Sequence, residues 1–194
     1  VTRYDEHTAL VVVDVQNDFA DPMGSLYVSG GEEVVAFANR EIGAALAQRA
    51  PVVYTQDWHP PSTPHFAKDG GIWPVHCVRD TWGSELHPDL EMAGSVVRKG
   101  TEGEDGYSGF TMRHPETAET RATELERILQ EHGIDTVVVV GLATDYCVKE
   151  TALDAVLRGF WAVVLRDGIR AVDREPGDGD RALDELQRAG VEVV

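Results

Sequence analysis

The chain has 194 residues, 42% of them apolar, which suits one domain over residues 1–194 with a substantial core and is short for two. Lys and Arg number 17 against 34 acidic residues, and the resulting charge of −17 argues against nucleic acid and anionic membranes as partners. No apolar stretch reaches membrane-spanning length.

The opening residues carry no signal-peptide pattern, and Val1 in place of a methionine suggests that the natural start lies upstream. Residues 9–15 read as a buried strand, and 32–49 as a helix with Val35, Ala38, Ile42 and Leu46 on one face. A second strand, 51–55, leads into a long loop over residues 56–93 rich in Pro, His, Trp and Gly. A short strand at 95–98 precedes a second loop, 100–115. The period of Leu125, Ile128 and Leu129 predicts a helix over 120–132, closed by Gly133. Then follow a strand at 136–140, a helix after Thr144, a strand at 161–165, a helix at 180–189 closed by Gly190, and a strand at 191–194. Strand–helix alternation of this kind predicts an α/β fold, a doubly wound parallel sheet with helices on both faces. Two cysteines, Cys77 and Cys147, make no disulfide framework, and a reducing cytoplasm is the expected setting.

Three strand ends carry reactive side chains. Asp14 closes the first strand, Lys99 the third, and Cys147 follows the run Val137–Val140 near the start of a helix. There the helix dipole and unpaired N–H groups favour a thiolate and an oxyanion. Each residue has a plain alternative: Asp14 as a turn cap, Lys99 as a solvated lysine, Cys147 as a small core residue. In a sheet of order 3-2-1-4-5, however, strands one and four flank the switch point, so Asp14 and Cys147 face each other with Lys99 nearby. A second group lies in the first long loop. Asp57 and His59, two apart on extended chain, point the same way, and His76 completes a two-His, one-carboxylate set for Zn²⁺, Fe²⁺ or Mn²⁺. His65 lies in the same loop, and Cys77 reads as a buried hydrophobe. The first strand is followed by Gln16-Asn17-Asp18-Phe19, which lacks the glycines of a dinucleotide-binding turn.

Six motifs, in order, give the chain a resemblance to the nicotinamidase/pyrazinamidase branch of the isochorismatase-like cysteine hydrolases. They are Asp14–Phe19, Asp57-Trp58-His59, Trp73–Cys77, Lys99-Gly100, Tyr107-Ser108-Gly109-Phe110 and Gly141–Val148. With the six strands read above, the resemblance implies an isochorismatase-like sheet of order about 3-2-1-4-5-6. It implies deamidation of nicotinamide through a Cys147 thioester, with Asp14 as base and Lys99 as electrostatic partner, and acceptance of pyrazinamide. It also implies an oxyanion hole from the N–H groups of Ala143 and Cys147, with a cis peptide before Ala143. Phe19, Trp73 and Tyr107 are implied as walls of the ring pocket. One divalent metal is implied, zinc ahead of iron or manganese, on Asp57, His59 and His76, with His65 a position that ligates in some members. A homo-oligomer is left open. The rival within the superfamily is a hydrolase of isochorismate, an N-carbamoyl compound or a ureido acid, which needs no such metal set.

Overall fold

The computed structural model describes residues 4–194; Val1, where an upstream start was read, lies outside them. Six strands form one parallel sheet: β1 (Thr8–Val13), β2 (Val52–Asp57), β3 (Ser95–Lys99), β6 (Thr136–Leu142), β7 (Trp161–Arg170) and β8 (Glu192–Val193). Their order is β3-β2-β1-β6-β7-β8. Counted along this sheet alone, that is 3-2-1-4-5-6, so the chain reverses direction across the sheet between β1 and β6.

The β-branched runs follow from burial on both faces, because successive side chains point to opposite sides of a strand. Leu10, Val12, Val138 and Val140 pack beneath α2 (Gly31–Ala47), whose Val34, Val35, Ala38 and Ile42 complete that core. Ala9, Val11, Val13, Val137 and Val139 face the other way. They meet α3 (Leu125–Glu131), α4 (Lys149–Leu157) and α5 (Asp178–Arg188) through Leu125, Leu129, Ala152, Ala155, Leu183 and Leu186. A fifth helix, α1 (Asn17–Ala20), is a single turn directly after β1. Gly141 has φ +124°, and a Cβ there would lie 2.1 Å from the Val13 carbonyl oxygen. Only glycine lets β6 approach the end of β1 so closely.

Most boundaries shift by one to three residues, and the larger differences from the sequence reading lie around α3 and β7. Residues 120–122 do not begin the third helix; they form β5 (Thr120–Ala122), antiparallel to β4 (Thr111–Arg113). Thr123 ends that pairing, its N–H donating to the Phe110 carbonyl and its hydroxyl accepting from the Leu125 N–H, so the helix starts at Leu125. β7 runs on to Arg170, past an irregularity opposite Val139–Gly141. Among the described residues no helix is long and apolar enough to cross a membrane.

Candidate active site

Four adjacent strands each deliver one reactive side chain to the same edge of the sheet. Lys99 ends β3, Asp57 ends β2, Asp14 follows β1, and Cys147 lies in the turn after β6. Asp14 has φ +48°, a left-handed conformation that a short polar side chain tolerates. Its carboxylate accepts a hydrogen bond from the Thr55 hydroxyl at 2.6 Å and from the Lys99 ammonium at 2.7 Å. Lys99, with no exposed surface, also donates to Asp57 Oδ1 at 2.5 Å and to the Gly106 carbonyl. Its Nζ stands 3.8 Å from Cys147 Sγ. The carboxylates of Asp14 and Asp57 and the Cys147 sulfur all lie within 4.8 Å of one another. Gly106 must be glycine for this packing, since a Cβ there would sit 2.6 Å from Asp57 Oδ1.

Burial sets the protonation states, modified by that shared ammonium. It pushes the Asp14 carboxyl up to about 6, Lys99 opposing and the Asp57 charge adding to the rise. It pushes the Cys147 thiol well above its ordinary value, against the pull of Lys99. For Asp57 the same burial is outweighed by Lys99 and then by His59, so its carboxyl is held well below the usual range. Asp14 and Asp57 likewise hold Lys99 well above the ordinary value despite burial. The sequence reading of a standing thiolate is therefore corrected. The one cation is already neutralised by two carboxylates, and the resting sulfur is a thiol beside a proton acceptor.

Next to this network lie His59, His65 and His76, buried, with ligand nitrogens within 4.8 Å of one another. Among the described residues, neither ring nitrogen of His59 has a hydrogen-bond partner. Two orphaned polar atoms in a buried ring are costly unless something binds them. His76 Nδ1 is 2.7 Å from the Pro74 carbonyl, and burial, reinforced by His59, lowers its pKa to about 4. It stays neutral, the form that ligates a metal. His65 Nδ1 is 2.8 Å from Asp105 Oδ1, which frees its other nitrogen. Asp57 Oδ2 is 3.7 Å from His59 Nε2. The donor set thus fits a divalent metal ion, with nitrogen-rich character and one carboxylate. His65 stands fully among the histidines, whereas Asp57 is divided between Lys99 and His59.

Both groups open into one cavity lined by Phe19, Trp73, Tyr107, Tyr146, Ala143 and Cys147 among others. Trp73 Nε1 donates to the Tyr107 hydroxyl at 2.8 Å, and its ring meets that of Tyr146 edge-on at 4.8 Å. The Leu142–Ala143 peptide is cis. Sequence reasoning had missed Thr55, Asp105, the Gly106 carbonyl and Tyr146. Only Tyr146, next to Cys147, carried a positional signal.

Residues 8–194 match the isochorismatase domain family. The nicotinamidase of Escherichia coli is 38% identical, over 94% of this chain and 92% of its own. The crystal structure of the pyrazinamidase of Pyrococcus horikoshii in complex with zinc superposes with a TM-score of 0.86 at 38% identity, covering 97% of this chain and 98% of the other. PnC1 of L. infantum in complex with nicotinate gives 0.89 at 37%, covering 100% and 95%. A carboxylate, an ammonium and a thiol on adjacent strand ends, beside a histidine cluster that suits a divalent metal, thus come with family-wide similarity over nearly the whole length, and the chain belongs to the isochorismatase domain family, in its nicotinamidase/pyrazinamidase branch.

Proposed function

We propose that the protein hydrolyses the carboxamide of nicotinamide to nicotinate and ammonia, and accepts pyrazinamide, through a thioester on Cys147. The observation that carries the reading is Cys147, backed by Asp14 and Lys99, lining the same aromatic cavity as His65 and His76 of the histidine cluster.

In this reading Cys147 Sγ attacks the carboxamide carbon while its proton passes to Asp14, a carboxylate at neutral pH. A buried thiol is a poor nucleophile unless the proton leaves as the C–S bond forms, and a base with a pKa of about 6 suits that transfer. Lys99 keeps the Asp14 oxygen in place and balances the charge of the sulfur as it develops. The oxyanion of the tetrahedral adduct is received by the backbone N–H groups of Ala143 and Cys147. As the adduct collapses the C–N bond breaks, and Asp14 returns its proton to the leaving nitrogen, so that ammonia departs. Asp14 then takes a proton from water, which attacks the thioester carbon. The C–S bond breaks as Asp14 returns that proton to the sulfur, which restores the Cys147 thiol and the Asp14 carboxylate, and the carboxylic acid leaves and ionises in solution. Phe19, Trp73 and Tyr107 provide the walls against which a flat heteroaromatic ring stacks.

Asp57, His59, His65 and His76 would hold a divalent metal, zinc by the nitrogen-rich character of the set. When bound, that ion supplies a Lewis-acidic anchor for the ring nitrogen of the substrate, which orients the carboxamide toward the sulfur. Both cysteines are free thiols, which supports a reducing compartment such as the cytoplasm.

Ammonia release from nicotinamide, measured on chelated protein and on the same protein reloaded with zinc, tests the reading. The expected result is turnover that falls on chelation and returns with the metal. Absence of ammonia from the reloaded protein would overturn it.

A further inference from the structure

Asp105 belongs to neither the nucleophile network nor the four residues of the candidate metal site. It reaches into the site from the loop after β3, whereas His65 comes from the loop after β2. The two side chains, 15% and 4% exposed, meet at 2.8 Å through Asp105 Oδ1 and His65 Nδ1. An ionised carboxylate only accepts hydrogen bonds, so this contact fixes the proton on Nδ1 and leaves the Nε2 lone pair for a metal. It also fixes the ring, which stacks on His59 with centroids 4.9 Å apart.

The backbone on either side of Asp105 adds a second observation. Its N–H and C=O pair with Arg113 of β4, at 2.6 and 3.2 Å. The next residue, Gly106, offers the carbonyl that accepts from Lys99 and lies 3.9 Å from Cys147 Sγ. The one after that, Tyr107, accepts from Trp73. Three consecutive residues therefore touch a metal-site histidine, the buried ammonium and the aromatic wall.

We infer that Asp105 is a positioning residue for the metal centre: through His65 it pre-orients one ligand and tethers the Gly106 loop to the bound ion. This rests on the proposed metal site. Carboxylate partners of ligating histidines raise ligand basicity and restrict ring rotation, and their loss typically weakens metal binding on the order of 10–100-fold. Because the tether runs through a single side chain, retention of the metal also restrains the loop that supports Lys99.

The test uses the full chain with Asp105→Ala and Asp105→Asn. Zinc affinity is measured without substrate, by competition with a chromophoric chelator, and urea unfolding of the zinc-free proteins checks that the variants fold. Hydrogen exchange of the peptide spanning residues 103–107 is followed with and without zinc. Asp105→Ala is expected to weaken zinc binding on the order of 10–100-fold. Asp105→Asn, which keeps an acceptor oxygen, is expected to lose less. Zinc is expected to slow exchange in this peptide of the parent protein, and the slowing should disappear in Asp105→Ala even at saturating zinc. Zinc binding within twofold of the parent in both variants, or unchanged zinc-dependent protection in Asp105→Ala, would overturn the inference. If the parent protein bound no zinc, the metal reading would fall first and this inference with it, an outcome visible before any variant is compared.

Discussion

Replacing Lys99 with methionine keeps the length of the side chain and deletes its charge, leaving Asp14 and Asp57 facing each other in a buried space. With an effective dielectric of about 20, an ammonium 2.7 Å from a carboxylate attracts it by 332/(20 × 2.7), about 6 kcal/mol, and Lys99 has two such partners. Desolvation of three ions opposes most of that attraction, and breaking buried pairs of this kind costs about 3–5 kcal/mol. For a domain of this size that loss lowers Tm by roughly 6–20 °C. The cost should depend on pH in a defined direction. Burial already lifts Asp14 to about 6 with Lys99 present, and the variant must lift it further above the unfolded value of 3.8. A folded pKa raised in this way means stability that is present at low pH and lost as pH rises through the folded value. Lys99→Met should therefore lose least near pH 5 and most above pH 7. Adding Asp14→Asn removes the stranded charge, and the double variant should regain part of the loss, with a coupling of roughly 1–3 kcal/mol. Urea unfolding in the presence of a chelator, followed by tryptophan fluorescence and circular dichroism together, measures all of this. A Lys99→Met variant within 1 kcal/mol of the parent at pH 7.5 would refute the reasoning about the shared ammonium. So would single-variant losses that simply add.

Cys147→Ala should abolish ammonia release while leaving the fold intact. Cys77→Ala should retain most of it, because Cys77 is fully buried and its thiol only packs 3.8 Å from the Gly83 carbonyl. Comparable kcat losses in two well-folded variants would remove Cys147 from its role. The logarithm of kcat/KM should climb with pH up to about 6 and then level off, because the base that accepts the thiol proton must be ionised. At pH 5 the rate should be about tenfold below the plateau. A flat profile between pH 5 and 7 would assign the proton to another group.

The sheet and the three strand ends were legible because burial on both faces forces continuous β-branched runs, and a charged or nucleophilic residue at the close of such a run stands out. Asp14, Lys99 and Cys147 stand out for that reason. The histidines were legible as a cluster within one long loop, yet the full standing of His65 beside His59 depends on how residues 60–75 fold back, which spacing does not encode. Asp57 was read only as a metal ligand. Its second role, on Lys99, appears once β2 and β3 are seen in register, with Asp57 opposite Lys99. The Gly106 carbonyl was invisible because a backbone acceptor leaves no mark in residue identity. Asp105 was hidden among Glu102, exposed, and Glu104, buried, two nearby acids that both pair with Arg121. The protonation state of Cys147 was misread because it depends on how many carboxylates share one lysine, a count that only the assembled site supplies. The β4–β5 hairpin was missed because three-residue strands are too short for an alternating pattern, and the helical period at Leu125 ran on into them.

The place of β1 in the sheet also bears on how the chain is made. β1 is flanked on one side by β2, about forty residues on, and on the other by β6, whose Thr136–Gly141 pair with Thr8–Val13. During synthesis the first three strands can assemble into half a sheet, but the second edge of β1 stays open until residue 142 has been made. At translation rates of about 5–20 residues per second that interval is roughly 6–26 s. Throughout it, the row Leu10-Val11-Val12-Val13 presents unpaired N–H and C=O groups on an apolar edge, the arrangement most prone to pair with another chain. The strand order that brings Cys147 beside Asp14 thus leaves an apolar edge of the nascent chain open until the strand before Cys147 has been made, and it gives a cell's chaperones a defined edge to shield.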